Sequence, residues 1–154
     1  DSDIQKAFSA GACQVTCGSI AVKNPEKVSQ WIQHYGAKKI ILGADIKGKN
    51  IAVSGWEEKT TLVWQELISN YYQLGIRTAI CTDIAHDGML SGPNHDLYQD
   101  VLRMFPSLYL IASGGISCVN DIKLLQKNGV SGVIIGKALY EQKITLSELQ
   151  EFLC

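Results

Sequence analysis

Short, nearly continuous apolar runs alternate along this chain with longer stretches whose apolar residues recur at helical spacing, and turn residues mark most of the changes between them. Asp3 to Ala10 reads as the tail of a helix stopped by Gly11, and Cys13 to Cys17 reads as a strand. Asn24 and Pro25 open a helix that runs to Tyr35 and stops at Gly36: the Asn side chain can accept from a first-turn N–H, and proline has no N–H to leave unpaired there. Lys39 to Ala44 is an apolar strand, and Lys47-Gly48-Lys49-Asn50 predicts a hairpin turn from which Ile51 and Val53 alternate outward toward Trp56. The pattern then predicts a helix from Thr60 or Thr61 to Leu74, a strand at Thr78 to Cys81, a glycine-rich loop, and a helix from Pro93-Asn94 to Met104. A strand at Leu108 to Ala112, a helix at Asp121 to Lys127 capped by Asn120, and a strand at Gly132 to Ile135 follow. Ser147 and Gln150 carry the spacing of a capping box for a last helix.

Strands separated by helices, with runs apolar on both faces, predict an α/β protein with a parallel sheet and right-handed crossovers. An open doubly wound sheet would place a G-x-G-x-x-G fingerprint after its first strand, and none occurs. The special residues stand instead at the C-terminal ends of all five predicted strands: Gly18-Ser19, Asp45, Thr82-Asp83, Gly114-Gly115 and Gly136-Lys137. That distribution predicts a (β/α)8 TIM barrel, whose site is built from the loops after each strand. A whole barrel takes roughly 250 residues, so the expectation is one partial domain over 1–154, holding about strands four to eight, with strands one to three upstream.

An internal repeat supports the same expectation. Asp121-Ile122, Gly129, Val133 and Gly136 repeat Asp3-Ile4, Gly11, Val15 and Gly18 at one constant spacing, with no insertion between matches. In the second copy an apolar strand ending in Gly114-Gly115 precedes the repeat, and the corresponding strand of the first copy would lie before residue 1.

Composition narrows the function classes. The chain has 154 residues, 46% of them hydrophobic and 19% charged, which is ordinary for a globular domain with a sizeable core. A net charge of −1 with scattered lysines leaves no electrostatic footprint for nucleic acid. No apolar run approaches the ~18 residues of a membrane span, and the first residues lack the pattern of a secretory leader, so no membrane partner is expected. The five cysteines are odd in number and lie mostly in or beside apolar runs, which suits a reducing cytoplasm. Cys13 and Cys17 fall on one face of one predicted strand, as buried thiols in preference to a zinc or disulfide pair.

Two adjacent glycine turns, Gly114-Gly115 and Gly136-Lys137, each stand just before a helical segment, where backbone N–H groups and the positive helix end can cradle a phosphate. The alternative is ordinary turn glycine. Lys137 either reaches the phosphate as a point charge or sits in solvent. By the repeat, Gly18-Ser19 marks a second cradle, and two cradles on opposite sides imply a long substrate with a phosphate at each end. Asp45 places a carboxylate at the barrel mouth, as a general acid if burial raises its pKa or as a cap of the following turn. Thr82 either orients substrate or is a β-branched strand residue. Trp56 either stacks on a flat substrate ring or anchors the hairpin. Asp83 and Asp87 bracket a glycine-rich loop of the kind that closes over barrel mouths, and His86 within it is left outside the site.

Gly43-Ala44-Asp45, Ser54-Gly55-Trp56-Glu57, Cys81-Thr82-Asp83-Ile84 with Asp87-Gly88, Gly92-Pro93-Asn94, Ala112-Ser113-Gly114-Gly115-Ile116 and Ile135-Gly136-Lys137-Ala138 together resemble the ProFAR isomerase family of histidine biosynthesis, over essentially the whole chain. The resemblance implies a barrel of duplicated half-barrels and an Amadori rearrangement that opens an aminoaldose ribotide and isomerises it to the aminoketose, without metal or organic cofactor. It implies that Asp45 is the proton donor, that Thr82 lines the site and that Trp56 faces the substrate. Gly114, Gly115, Gly136 and Lys137 then form one phosphate site, and Gly18 and Ser19 half of the other. The family's proton acceptor, an Asp ending the first strand, has no counterpart here, so the chain by itself is expected to be inactive and to self-associate through open sheet edges. The sister cyclase of the same pathway, and a noncatalytic phosphate-binding half-barrel, are the alternative readings.

Overall fold

A computed structural model describes residues 2–152, which leaves Cys154 outside the described residues. Helix α1 (Ser2–Ser9) leads through a turn at Gly11 into strand β1 (Val15–Cys17) and a short helix α2 (Ser19–Lys23). Helix α3 (Pro25–Tyr35) precedes the long strand β2 (Ile40–Lys47), an antiparallel pair β3 (Asn50–Val53) and β4 (Glu58–Val63), and helix α4 (Trp64–Gln73). Strand β5 (Thr78–Asp83), helix α5 (His95–Met104), strand β6 (Tyr109–Ser113), helix α6 (Val119–Lys127) and strand β7 (Gly132–Ile134) follow, then the short helices α7 (Lys137–Tyr140) and α8 (Leu146–Leu149).

The sheet is mostly parallel and is organised on β2. Leu42 is in register with Cys17 of β1 and with Ala79 of β5, so those two strands occupy opposite edges of β2. Ile46 is in register with both Ile51 and Asp83, which puts β3 beyond β1 on the same edge. The parallel path therefore runs β1-β2-β5-β6-β7 in chain order, and β3-β4 is an antiparallel excursion from the end of β2. Alternate residues of β2 (Ile40, Leu42, Ala44, Ile46) are buried in one apolar cluster with Ala79, Cys81, Leu110 and Ala112 and with Val28, Ile32, Leu67, Ile68, Val101 and Leu125 of the helices. The opposite face is more open: Ile41, Ile80 and Ile111 are half-buried and Ile134 is 44% exposed. No helix among the described residues is long and apolar enough to cross a membrane.

The repeat seen in the sequence is a repeat in space. Ile4 and Ile122 are both buried, Gly11 and Gly129 both turn with positive φ (96° and 87°), and Val15 and Val133 lie in β1 and β7. Gly18 and Gly136 then cap α2 and α7 with nearly the same backbone, φ −93° and ψ −109° against φ −106° and ψ −99°.

Four expectations shift. The helix expected from Thr60 or Thr61 begins at Trp64, because Glu58–Val63 forms β4: Thr60 Oγ1 donates to Ile51 O at 2.8 Å and Asn50 Nδ2 to Thr60 O at 3.0 Å, tying the β-branched pair to β3. The strand expected from Cys13 starts at Val15, so Cys13 is exposed while Cys17 is buried, and the two do not share a strand face. Helix α6 is capped two residues earlier than Asn120, at Cys118, with the Asp121 carboxylate accepting from Ser117 and Cys118 N–H groups. The last capping box is Thr145 with Glu148, not Ser147 with Gln150.

Several buried groups make the fold sensitive to alkali, Tyr71 and Cys81 among them. The Tyr71 hydroxyl donates to Ala21 O at 2.8 Å, and its pKa is pushed up from 10 to about 12, chiefly by burial and then by the neighbouring Cys17. The Cys81 thiol is pushed up from 9 to about 12, again chiefly by burial and then by the charge of Asp45. Both groups hold their proton more tightly folded than unfolded, so their contribution is complete below the ordinary values and is lost as pH rises through the raised ones. The thermal midpoint is expected to be flat from pH 7 to about 8.5 and to fall from about pH 9 upward, less steeply in Tyr71→Phe. Melts followed by circular dichroism across that range check it, and an equally steep fall in the variant would remove Tyr71 as a cause.

Candidate functional site

The C-terminal ends of the parallel strands bring the singled-out residues to one side of the sheet. Asp45 is in register with Thr82, and Thr82 with Ser113, so the three stand in one row across β2, β5 and β6. By alternation this row belongs to the more open face, opposite the helix-packed core. Asp45 is half-buried, whereas Thr82 and Ser113 are each 8% exposed. Ser113 had not been singled out, although its position at the end of an apolar strand is the same signal that marked Asp45.

Trp56 comes to Asp45 through an unusual turn. Ser54, Gly55 and Trp56 all have positive φ (57°, 65° and 75°), and this left-handed stretch between β3 and β4 carries the indole back over the end of β2. Its Nε1–H donates to Asp45 Oδ2 at 2.8 Å. Non-glycine residues in that region cost on the order of 1–2 kcal/mol each, so the turn depends on the contacts around it. Trp56 remains 41% exposed, with ring surface left for a further contact.

Gly18 and Ser19 line a small hollow with Gly43, Asp45 and Val53, so the first glycine turn and the carboxylate share one space. Gly43 makes this possible: a Cβ there would stand 3.2 Å from Gly18 Cα and 3.3 Å from Thr16 Cγ2. A glycine inside an otherwise apolar strand was the sequence signal of that close approach.

Gly114, Gly115, Gly136 and Lys137 line a second cleft with Asp87, Gly88 and Leu90 from the loop after β5. Both glycines of the pair have positive φ (103° and 80°). A Cβ on Gly114 would lie 2.6 Å from Asp83 O, and one on Gly115 2.3 Å from Gly92 O, so the loop crosses the turn at a distance only glycine allows. Gly92 N–H donates to Gly115 O at 3.0 Å, and Lys137 Nζ donates to Gly88 O at 2.9 Å with Glu141 Oε1 at 3.6 Å. The lysine neither points free into solvent nor stands unengaged in the cleft: it holds the loop. On the parallel path the two glycine turns follow β1 and β7, its two ends, with Asp45 and Thr82 between them.

The loop itself is folded around Asp83. This carboxylate is 4% exposed, on the helix side of the sheet, and it accepts from Ala85 N at 2.9 Å through Oδ1 and from Asn94 Nδ2 through Oδ2. His86 Nδ1 stands 3.0 Å from the same Oδ2, while Asn94 Oδ1 accepts from Leu97 N to cap α5. Asp83, through Ala85 N–H and Asn94, thus braces the loop's base beside His86, and strand alternation explains why Asp83 points away from Asp45 although Thr82 is its neighbour. The signal was the Asx-turn spacing from Asp83 to Ala85. Among the described residues no group of three His, Cys, Asp or Glu is placed to hold a metal ion. A cavity between α6, β7 and the C-terminal turns is lined by Ile122, Val130, Leu149 and Phe152 with no ionisable side chain, and stands apart from this chemistry.

Comparison with known proteins shows the family. The chain is 54% identical over 153 residues to a 1-(5-phosphoribosyl)-5-((5-phosphoribosylamino)methylideneamino)imidazole-4-carboxamide isomerase of Bacteroides fragilis, covering 99% of this chain and 64% of the relative. Isomerases of the same name from Parabacteroides distasonis and Cytophaga hutchinsonii are 53% and 50% identical over 152 residues, covering 99% of this chain and 64% and 63% of the relatives. The chain thus spans slightly under two thirds of the length of these proteins. The family model described as "Histidine biosynthesis protein" matches residues 1–145, and the chain belongs to that family.

Proposed function

We propose that this chain is the strand-four-to-eight part of a (β/α)8 barrel, a single partial domain of a cytoplasmic isomerase that converts ProFAR to its aminoketose in L-histidine biosynthesis. The isomerase activity named for relatives at about half identity supports the reaction, and five parallel strands in chain order support the barrel. The observation that carries the reading is Asp45: a carboxylate at the end of the central strand, with the Trp56 indole on it and Thr82 beside it, between two glycine turns at the ends of the parallel path.

The chemistry follows from that placement. A protonated Asp45 delivers its proton to the ribose ring oxygen as the C1–O bond breaks, and the amine nitrogen's lone pair forms the C1=N bond of an open-chain imine. Removal of the proton from C2 then gives an enaminol, and return of a proton to C1 with loss of the C2 hydroxyl proton, which restores the Asp45 carboxyl, leaves a ketone at C2. No atoms are gained or lost overall. The Trp56 ring supplies a flat surface for the base of the substrate, Thr82 a hydroxyl toward the sugar, and each glycine turn a cradle for one terminal phosphate. The group that takes the C2 proton belongs to the first strand, in the upstream part. Open edges on β1 and β7 would be closed by that part, and alone they favour self-association.

Assay with ProFAR tests this directly. The chain by itself is expected to give no turnover. Joined to the upstream portion of the Bacteroides fragilis relative it is expected to give isomerase turnover, which Asp45→Asn lowers by about 10²- to 10⁴-fold with little change in KM. Turnover by the unjoined chain at the joined rate would refute the partial-barrel reading, and a product that requires ammonia would identify the sister cyclase instead.

The cradle at Gly114-Gly115 has its own test. In the joined protein Lys137→Met is expected to raise KM more than it lowers kcat, since it removes a charge near the phosphate and the anchor of the loop at Gly88. Gly115→Ala is expected to cost more than about 1 kcal/mol of stability, because alanine meets both a positive φ and the Gly92 carbonyl. Denaturant melts check the second, and unchanged stability would show that the loop can lift off the turn.

A further inference from the structure

Polar side chains at the margin of the site grip the turn that carries Trp56. The Ser54 backbone N–H donates to Ser19 Oγ at 2.9 Å. The Ser54 hydroxyl accepts from Lys23 Nζ and donates to Glu58 Oε1 at 2.9 Å, and Lys23 Nζ lies 3.1 Å from each Glu58 carboxylate oxygen. Ser19 and Lys23 are the two ends of α2, so this one short helix holds Ser54 from both sides, while Glu58 closes the far side of the same turn at the start of β4. The Glu58 pKa is lowered by the Lys23 and Ser54 hydrogen bonds, consistent with a carboxylate kept charged in this arrangement.

The proposed chemistry uses none of Lys23, Ser54 or Glu58. Their side chains are about half-exposed in the ion pair, and pairs of that kind add little to global stability. What they hold is specific. Ser54, Gly55 and Trp56 form three successive left-handed residues, and such a strained stretch persists only where its surroundings hold it. Two residues past the grip, the Trp56 indole meets Asp45.

We propose that Lys23, Ser54 and Glu58 are positioning residues, a latch on the β3–β4 turn that sets where the Trp56 indole stands over Asp45. The inference deepens the proposed site, and only the meaning of Asp45 rests on the isomerase reading; the placement of Trp56 does not.

The test labels the three tryptophans of the chain with 5-fluorotryptophan and follows their fluorine resonances, the Trp56 signal being assigned with Trp56→Phe. Asp45→Ala gives the resonance of an indole released from its carboxylate. Lys23→Met and Glu58→Gln are each expected to move the Trp56 signal toward that position, leaving the other two in place and the melting temperature nearly unchanged. The exchanged pair, Lys23→Glu with Glu58→Lys, is expected to restore it, and high salt to act on the wild type as the single substitutions do. A Trp56 signal unmoved in both single variants, or movement of all three signals together, would overturn the latch. Since the readout is a resonance, failure of the isomerase reading appears in turnover and leaves this outcome unaffected.

Discussion

Pairing of β2 on both edges is the constraint on which the rest of the structure depends. Leu42 shares register with Cys17 and Ala79, and Ile46 with Ile51 and Asp83, so β1, β3 and β5 are all placed by a single strand. The helix-facing residues of β2 are buried without exception, which fixes its register: a slip by one residue would put Asp45 into the apolar core and Ile46 on the open face. The position of the carboxylate is therefore a consequence of packing on the other side of the same strand. Its neighbours Thr82 and Trp56 inherit their places from the parallel and antiparallel partners of β2 in turn.

The parallel strands and most helices were legible because their signals are local and redundant. An apolar run, a glycine stop and a cap agree at α3, where Asn24 Oδ1 accepts from Lys27 N as expected. Where local signals compete, a distant partner or a charged group decides between them. Thr60 and Thr61 look like helix caps, but β-branched residues also suit a strand, and the hairpin partner that decides between them lies at Asn50 and Ile51. At the C-terminus both Ser147 with Gln150 and Thr145 with Glu148 have capping-box spacing. The charged carboxylate wins: Glu148 accepts from both the Thr145 hydroxyl and N–H at the positive end of the helix, which also lowers its pKa.

Site residues were legible to the extent that strand ends mark them, and illegible where function depends on which face a side chain takes. Asp45 lies near the end of β2 and Asp83 ends β5, yet one faces the open side of the sheet and the other braces a loop from the helix side. Trp56 shows that two readings of one residue need not compete, since the ring that anchors the turn is also the ring presented at the carboxylate. The glycine pair shows the reverse. Gly114 and Gly115 are required by the loop that lies against them whether or not an anion binds, so their identity alone is weak evidence for a cradle.

Better evidence comes from the repeat. A Cβ on Gly18 or Gly136 would meet nothing within 4 Å, yet both adopt the same uncommon backbone at the start of a short helix. Crowding explains neither, and the shared conformation follows the same strand, glycine turn and short helix repeated at the two ends of the parallel path. The residue that follows each glycine differs because its surroundings do. Ser19 is short enough to bond the Ser54 backbone across a tight hairpin, whereas Lys137 must span to Gly88 in a longer loop. One turn is thus tied to the hairpin over Asp45 and the other to the loop braced by Asp83, so each end of the parallel path carries its own restraint on the space between.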